Sequence, residues 1–178
     1  MSGTDRTRRF EAAVLPHLDA AFNLARWLLR DEQSAQDVVQ EAYLRAFRFF
    51  DSFRGGDARP WLLGIVRNAC FTWLGERGRD HVEFDEERDS GELDPESGQA
   101  ANDPQRRLEC KLERAQVNAA IATLPPLFRE VLILRELEEL SYDAIAQVTN
   151  IPVGTVMSRL SRARAMLRAA LTPTGNKE

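Results

Sequence analysis

The run from Ser141 to Leu171 admits few folds. Asn150 and Pro152 interrupt it, and a helical pattern stands on each side of them. On the first side, Ser141 is placed to cap a helix start. Asp143 lies in the first turn, where the helix dipole favours a negative charge. Ile145, Ala146 and Thr149 share one face. On the second side, Val156, Leu160, Ala163, Leu167 and Leu171 recur at steps of four, three, four and four residues, a single apolar stripe. Arg159, Arg162, Arg164 and Arg168 occupy other faces, and no acidic residue falls between Pro152 and Leu171. A short helix, a tight turn and a second helix with small and basic outward residues is how a helix-turn-helix sets its reading helix in the major groove. Gly154, Thr155, Ser158 and Ser161 permit close approach, and the arginines supply donors to phosphates and base edges.

Helical periodicity continues upstream. Val14, Leu18, Ala21, Ala25 and Leu28 predict an opening helix that stops near Asp31. From Ser34 to Phe50, apolar residues follow three-four spacing over four turns, the strongest pattern in the chain. Ala35, Val38, Val39, Ala42, Tyr43, Ala46 and Phe47 make its inner face. Asp37, Gln40, Glu41, Arg45 and Arg48 make the outer one. Arg54 to Pro60 is a loop by composition, with Pro60 well placed at a helix start. The next helix, Trp61 to about Glu76, directs Leu62, Ile65, Val66, Ala69, Cys70 and Trp73 inward and exposes Arg67 and Asn68. Farther on, Leu108, Leu112, Ala115, Ala119 and Ala122 outline a helix broken by Pro125 and Pro126. A helix from Leu127 to Leu137 carries Val131, Leu132 and Leu134 inward. No segment alternates with period two for long enough to make a strand. The expected fold is all-α: two small helical modules, at 9–79 and 106–172, joined by an acidic flexible linker at 80–105.

Charge agrees with that division. The net charge of −4 looks wrong for a nucleic-acid binder until it is located. Residues 81–110 hold ten acidic residues against three arginines, a local balance of −7 that leaves +3 for the rest. No apolar run approaches the roughly 20 residues of a membrane span. The N-terminal stretch has no apolar core, so secretion is not expected. Cys70 and Cys110 make neither a disulfide framework nor a ligand cluster, which fits a reducing cytoplasm. Cys70 lies on an apolar stripe and reads as packing. His17 and His81 stand alone.

Asp37 and Glu41 lie one helical turn apart, but no histidine or glycine-rich phosphate loop accompanies them. They read better as a docking face for a partner protein than as catalytic carboxylates or metal ligands. Neither a cofactor nor a small-molecule substrate is expected. The basic loop at Arg54, followed by Trp61 and by Arg67-Asn68, suits a single nucleic-acid strand gripped through phosphate contacts and base edges. Trp61 and Trp73 fall on the apolar side.

Taken together, these residues resemble the extracytoplasmic-function (ECF) group of bacterial RNA polymerase sigma factors, in the sigma-70 superfamily. The carriers are Asp37 to Ala46, the Phe53-Arg54-Gly55 loop with Trp61-Leu62, and Ile65 to Asn68. In the second module they are Leu124-Pro125-Pro126 with Arg129, Glu136 to Glu138, Leu140 to Tyr142, and the tract from Ile151 to Arg164. The resemblance implies that the first module is sigma region 2 and the second is region 4. It implies that Asp37, Gln40 and Glu41 face the beta-prime coiled coil of core RNA polymerase, with the beta flap a further contact. Arg54, Gly55, Asp57, Arg59, Trp61, Arg67 and Asn68 would meet the non-template strand of the −10 element. Thr155, Met157, Ser158, Arg159, Ser161 and Arg162 would approach the −35 element. Met157 stands where some members have arginine, and Ser161 where some have a larger residue. The resemblance also implies an anti-sigma partner, often membrane-anchored, and a cytoplasmic transcription initiation factor rather than an enzyme. Two other functions compete. A regulator binding duplex operators would not need the Asp37–Arg45 face, and a nuclease using Asp37 and Glu41 would cleave DNA with a metal.

Overall fold

A computed structural model of the chain describes residues 3–80 and 103–172, the side chains of 78–80 excepted. Residues 81–102 of the expected linker, His81 among them, lie outside the described residues. The helices are α1 (Gly3–Val14), α2 (Leu18–Leu29), α3 (Glu32–Arg48), α4 (Ala58–Asp80), α5 (Pro104–Ala122), α6 (Pro126–Glu136), α7 (Tyr142–Thr149) and α8 (Val153–Leu171). Among the described residues there is no strand.

The opening helix expected from Val14 to Leu28 is in fact two. Pro16 lacks an N–H and cannot sit inside a helix, so a 3-10 turn, Leu15–His17, separates α1 from α2. The break turns Leu18 outward at 41% exposure, whereas Val14, Ala21, Ala25 and Leu28 stay buried. Arg30 ends α2 in the left-handed region at φ 57°. The Asp31 side chain then caps α3 by accepting the Ser34 N–H at 3.0 Å.

The inner face of α3 is buried as its periodicity demands, from Ala35 to Ala46. Phe10 of α1 packs edge-on against Tyr43, Phe47 and Phe50, with ring centroids 6.1, 5.2 and 5.3 Å away. Gly55 and Gly56 then turn the chain at φ 87° and 85°, a region that costs other residues strain. The Asp57 carboxylate accepts the Arg59 N–H at 2.9 Å and starts α4. Leu62, Leu63, Val66, Ala69 and Cys70 of that helix are buried.

In the second module, the Ser141 hydroxyl accepts the Ala144 N–H at 3.1 Å and caps α7. Asn150 ends α7 at φ 55°, and Pro152 precedes α8, so the helix-turn-helix forms where the breakers placed it. Val156, Leu160 and Ala163 are buried, Leu167 is half-buried, and Leu171 at the helix end is exposed. The stripe expected on α5 is not core: Leu108 and Leu112 are 59% and 56% exposed. Ala115 and Ala119 are exposed too, and burial begins only at Ala120 and Ile121. An apolar stripe is buried only where another element reaches it, and the N-terminal half of α5 lies beyond that reach.

The two modules are packed on one another. In the first, α2, α3 and α4 enclose a core; across the junction α4 lies on α7 and α2 on α6. One apolar cluster runs through both, from Leu24, Leu28 and Leu62 to Ile133, Ile145 and Val148. At Gly64 the α4 backbone faces α7: a Cβ there would stand 3.8 Å from the Val148 Cα and 3.7 Å from its carbonyl oxygen, ordinary van der Waals contact.

Candidate nucleic-acid interface

On α3, Asp37, Gln40 and Glu41 are all exposed, opposite the buried stripe. Gln33 Nε2 donates to Asp37 Oδ1 at 3.3 Å, and Arg45 Nη2 donates to Glu41 Oε1 at 3.0 Å. Such exposed pairs one turn apart contribute only ~0.3–0.5 kcal/mol each, so they leave the carboxylates available to a partner. Leu44 shares this face, at the i+3 position from Glu41, and is 63% exposed. Sequence reasoning gave it no role, although an apolar residue at polar-face spacing was a visible signal.

The loop residues Arg54, Gly55 and Asp57 are exposed, as is Asn68. Trp61 is half-buried, its ring 5.2 Å from Phe53 and 6.3 Å from Phe50. Arg67, expected on the surface, is not there: its side chain is only 17% exposed. Its Nε and Nη2 donate to the two carboxylate oxygens of Glu130 at 2.7 and 3.1 Å, a bidentate pair between α4 and α6. Its guanidinium also lies 4.1 Å from the Phe71 ring centre. Arg59 Nη2 donates to Glu138 Oε2 at 2.8 Å and to the Glu138 carbonyl.

On α8, Met157, Ser158, Ser161 and Arg162 are exposed and Thr155 is half-buried. Arg159 turns inward, its Nη1 3.9 Å from Glu130 Oε1 and, among the described residues, without a hydrogen-bond partner. Arg164 is engaged by Glu136 at 2.7 and 3.1 Å. Of the four arginines of this helix, then, Arg162 and Arg168 are the exposed pair.

Glu130 is the centre of this geometry and was not foreseen. It is wholly buried. Burial pushes its carboxyl up, against the opposing pull of Arg67 and Arg159. The Cys70 thiol, buried near the same carboxylate, is pushed up to about 12 and stays protonated. Arg129, next to Glu130 in sequence, joins the modules: Nη1 donates to the Trp27 carbonyl of α2 at 2.8 Å, and Nη2 to the Leu124 carbonyl at 2.7 Å. Burial and the charge of Arg30 lower its pKa to about 10, so it remains a cation at neutral pH. Glu138 completes the junction by accepting from Asn23 of α2 at 2.9 Å. The sequence did carry a signal for Glu130, an acid one turn before the inward Leu134 of α6 and beside the inward Val131. Among the described residues no three His, Cys, Asp or Glu side chains form a metal-binding group. No described helix is long and apolar enough to cross a membrane.

Residues 13–80 match the family model "Sigma-70 region 2", and residues 114–167 match "Sigma-70, region 4". The RNA polymerase sigma-H factor of Pseudomonas aeruginosa is 38% identical over 170 residues, 93% of this chain and 88% of the relative. The ECF RNA polymerase sigma-E factor of Escherichia coli K12 is 38% identical over 141 residues, 77% of this chain and 73% of the relative. Among solved structures, the sigma factor RpoE of Bartonella quintana, in complex with the anti-sigma factor NepR, superposes with a TM-score of 0.72 at 28% identity, covering 94% of this chain and 99% of that one. CnrH, in complex with the cytosolic domain of CnrY, superposes with a TM-score of 0.62, also at 28% identity, covering 93% and 88%.

Proposed function

The chain belongs to the ECF group of RNA polymerase sigma factors, in the sigma-70 family, and we propose that its two modules take separate tasks at a promoter. As a sigma factor it joins core RNA polymerase and directs initiation, while the chemistry of RNA synthesis belongs to the polymerase. Residues 9–79 serve as region 2 and residues 106–172 as region 4, with 80–105 between them. The α3 face of Asp37, Gln40 and Glu41, with Leu44, docks on the beta-prime coiled coil. Arg54, Gly55, Asp57, Arg59, Trp61, Arg67 and Asn68 receive the melted −10 strand, which needs cationic and base-stacking groups around a flexible loop. Thr155, Met157, Ser158, Ser161 and Arg162 face the −35 major groove, while Arg159, expected among them, is turned inward toward Glu130.

One observation carries this reading. The outward residues of α8 stand exposed on a capped helix-turn-helix while the acidic α3 face stands exposed on the other module. A duplex-binding regulator uses the first feature and has no need of the second. A protein anti-sigma partner, of the kind bound to the Bartonella factor, would act by covering these two faces. The site of action is the cytoplasm, where the polymerase works.

The α3 assignment is tested with the Asp37→Lys/Glu41→Lys double variant. It should lose co-migration with core polymerase while keeping wild-type affinity for duplex DNA. Retained core binding would reject the assignment.

A further inference from the structure

In its N-terminal half, the outward side of α8 holds only two side chains long enough to reach the floor of a groove, and they differ in kind. Gly154, Ser158 and Ser161 are short and exposed. The Ser158 hydroxyl donates to the Thr155 carbonyl at 3.1 Å, so its proton stays within the helix. Arg159 turns toward Glu130 at 3.9 Å, and Arg164 is held by Glu136 at 2.7 Å. Arg162 is exposed, a polar fork. Met157 is the other long side chain. It lies in the second turn of α8, 50% exposed, between Gly154 and Ser161 at helical spacing. An unbranched thioether chain with no donor thus stands out from a surface of small residues.

Base edges in the major groove differ in what they offer such a chain. Guanine presents N7 and O6, adenine N7 and the N6 amino group, and cytosine the N4 amino group, while thymine alone adds a C5 methyl. Covering a polar edge with the thioether would strip its water and return no hydrogen bond. Against the thymine methyl, both apolar surfaces leave water. We propose that Met157 reads a thymine methyl in the −35 element, so that the upstream element of this chain's promoters carries a T·A pair at that place and Met157 sets the preference for it. This rests on the docking of the N-terminal half of α8 in the −35 groove. Arg162 supplies the complementary contact, a bidentate fork for the O6 and N7 of guanine. The two residues are five positions apart, about 7.5 Å along the helix axis. The thymine and the guanine therefore lie within about three base pairs of one another. An arginine at 157 would favour guanine there instead; methionine changes the base that is read and leaves the docking as it is.

The probe is the promoter fragment that holoenzyme binds most tightly among genomic fragments, remade with each thymine of its upstream element replaced singly by deoxyuridine, which lacks only the methyl. Wild-type holoenzyme should lose about fourfold in affinity at one such position, the value of one buried methyl group. Met157→Ala holoenzyme should bind the thymine and uracil probes alike there, and Met157→Leu, which keeps an apolar chain, should keep the difference. Met157 is half exposed, so both variants should match wild type in helicity and in affinity for core polymerase. Arg162→Ala should weaken binding to both probes and leave their ratio unchanged. Two results would overturn the proposal: no thymine whose methyl matters, or a methyl effect that survives Met157→Ala. The docking is checked separately by scrambling the whole upstream element. Binding indifferent to the scramble would remove the docking and the inference with it. A scramble that abolishes binding beside a silent uracil scan would remove the inference alone.

Discussion

Arg162 and Arg168 both project from α8 and are both exposed, yet their places on the helix differ. Arg162 follows the outward residues Met157, Ser158 and Ser161 in the N-terminal half, which enters the groove in this docking mode. Arg168 lies nearly two turns farther on, at the end that the proposed docking holds away from the DNA. Arg162→Ala should cost about 1–3 kcal/mol of promoter affinity, the range for a residue that reaches base edges. Arg168→Ala should cost less and act alike on all sequences. Equal, small losses in a salt-matched binding assay would reject the docking. Helical spacing put all four arginines of α8 off the apolar stripe and did not by itself single out this pair as the exposed one. The engagement of Arg164 by Glu136 was not legible, since it depends on how α6 and α8 cross. Arg67 shows the same limit more strongly. Helical spacing put it on a polar face of α4, but its partner is 63 residues away in another module.

At the level of elements, the extent of α3, α7 and α8 followed closely from periodicity and capping residues, because those are local causes; α4 runs from Ala58 to Asp80 rather than from Trp61 to about Glu76, because the Asp57 carboxylate starts it three residues earlier. The break between α1 and α2 was legible too, since Pro16 was in plain view, but the three-four spacing on either side masked it. The exposed stripe of α5 was not, because periodicity says which face is apolar and nothing about what covers it. The inward acid of α6 yields a pH prediction. Glu130 faces Arg67 from α4 and Arg159 from α8, with the Cys70 thiol nearby and protonated throughout. Burial outweighs the two guanidiniums, so the folded chain holds the Glu130 proton more tightly than the unfolded chain, whose carboxyl is in water. This group therefore adds stability as pH falls through its raised value toward the ordinary glutamate value of 4.5, and takes it away as pH rises. The pair thus fixes geometry, while apolar burial supplies the cohesion. Glu130→Gln, which mimics the protonated carboxyl, removes this pH dependence, so its stability relative to wild type in urea unfolding should rise as pH rises through that range. A relative stability that falls with rising pH would contradict the sign.

For the whole molecule, the all-helical class, the two modules and the family were legible because they rest on residues spread along the chain: Asp37 to Ala46, Phe53 to Asn68 and Ile151 to Arg164. The packing of the modules on one another was not. No periodicity distinguishes a stripe buried within a module from one buried between two, and the faces of Leu24, Leu62 and Ile145 look alike in sequence. The most direct measurement mixes the purified chain with core RNA polymerase free of any sigma factor and maps transcription starts on fragmented genomic DNA. The account predicts co-migration with core and starts at discrete positions, with two shared sequence elements upstream. No association with core, while duplex DNA is still bound, would contradict it.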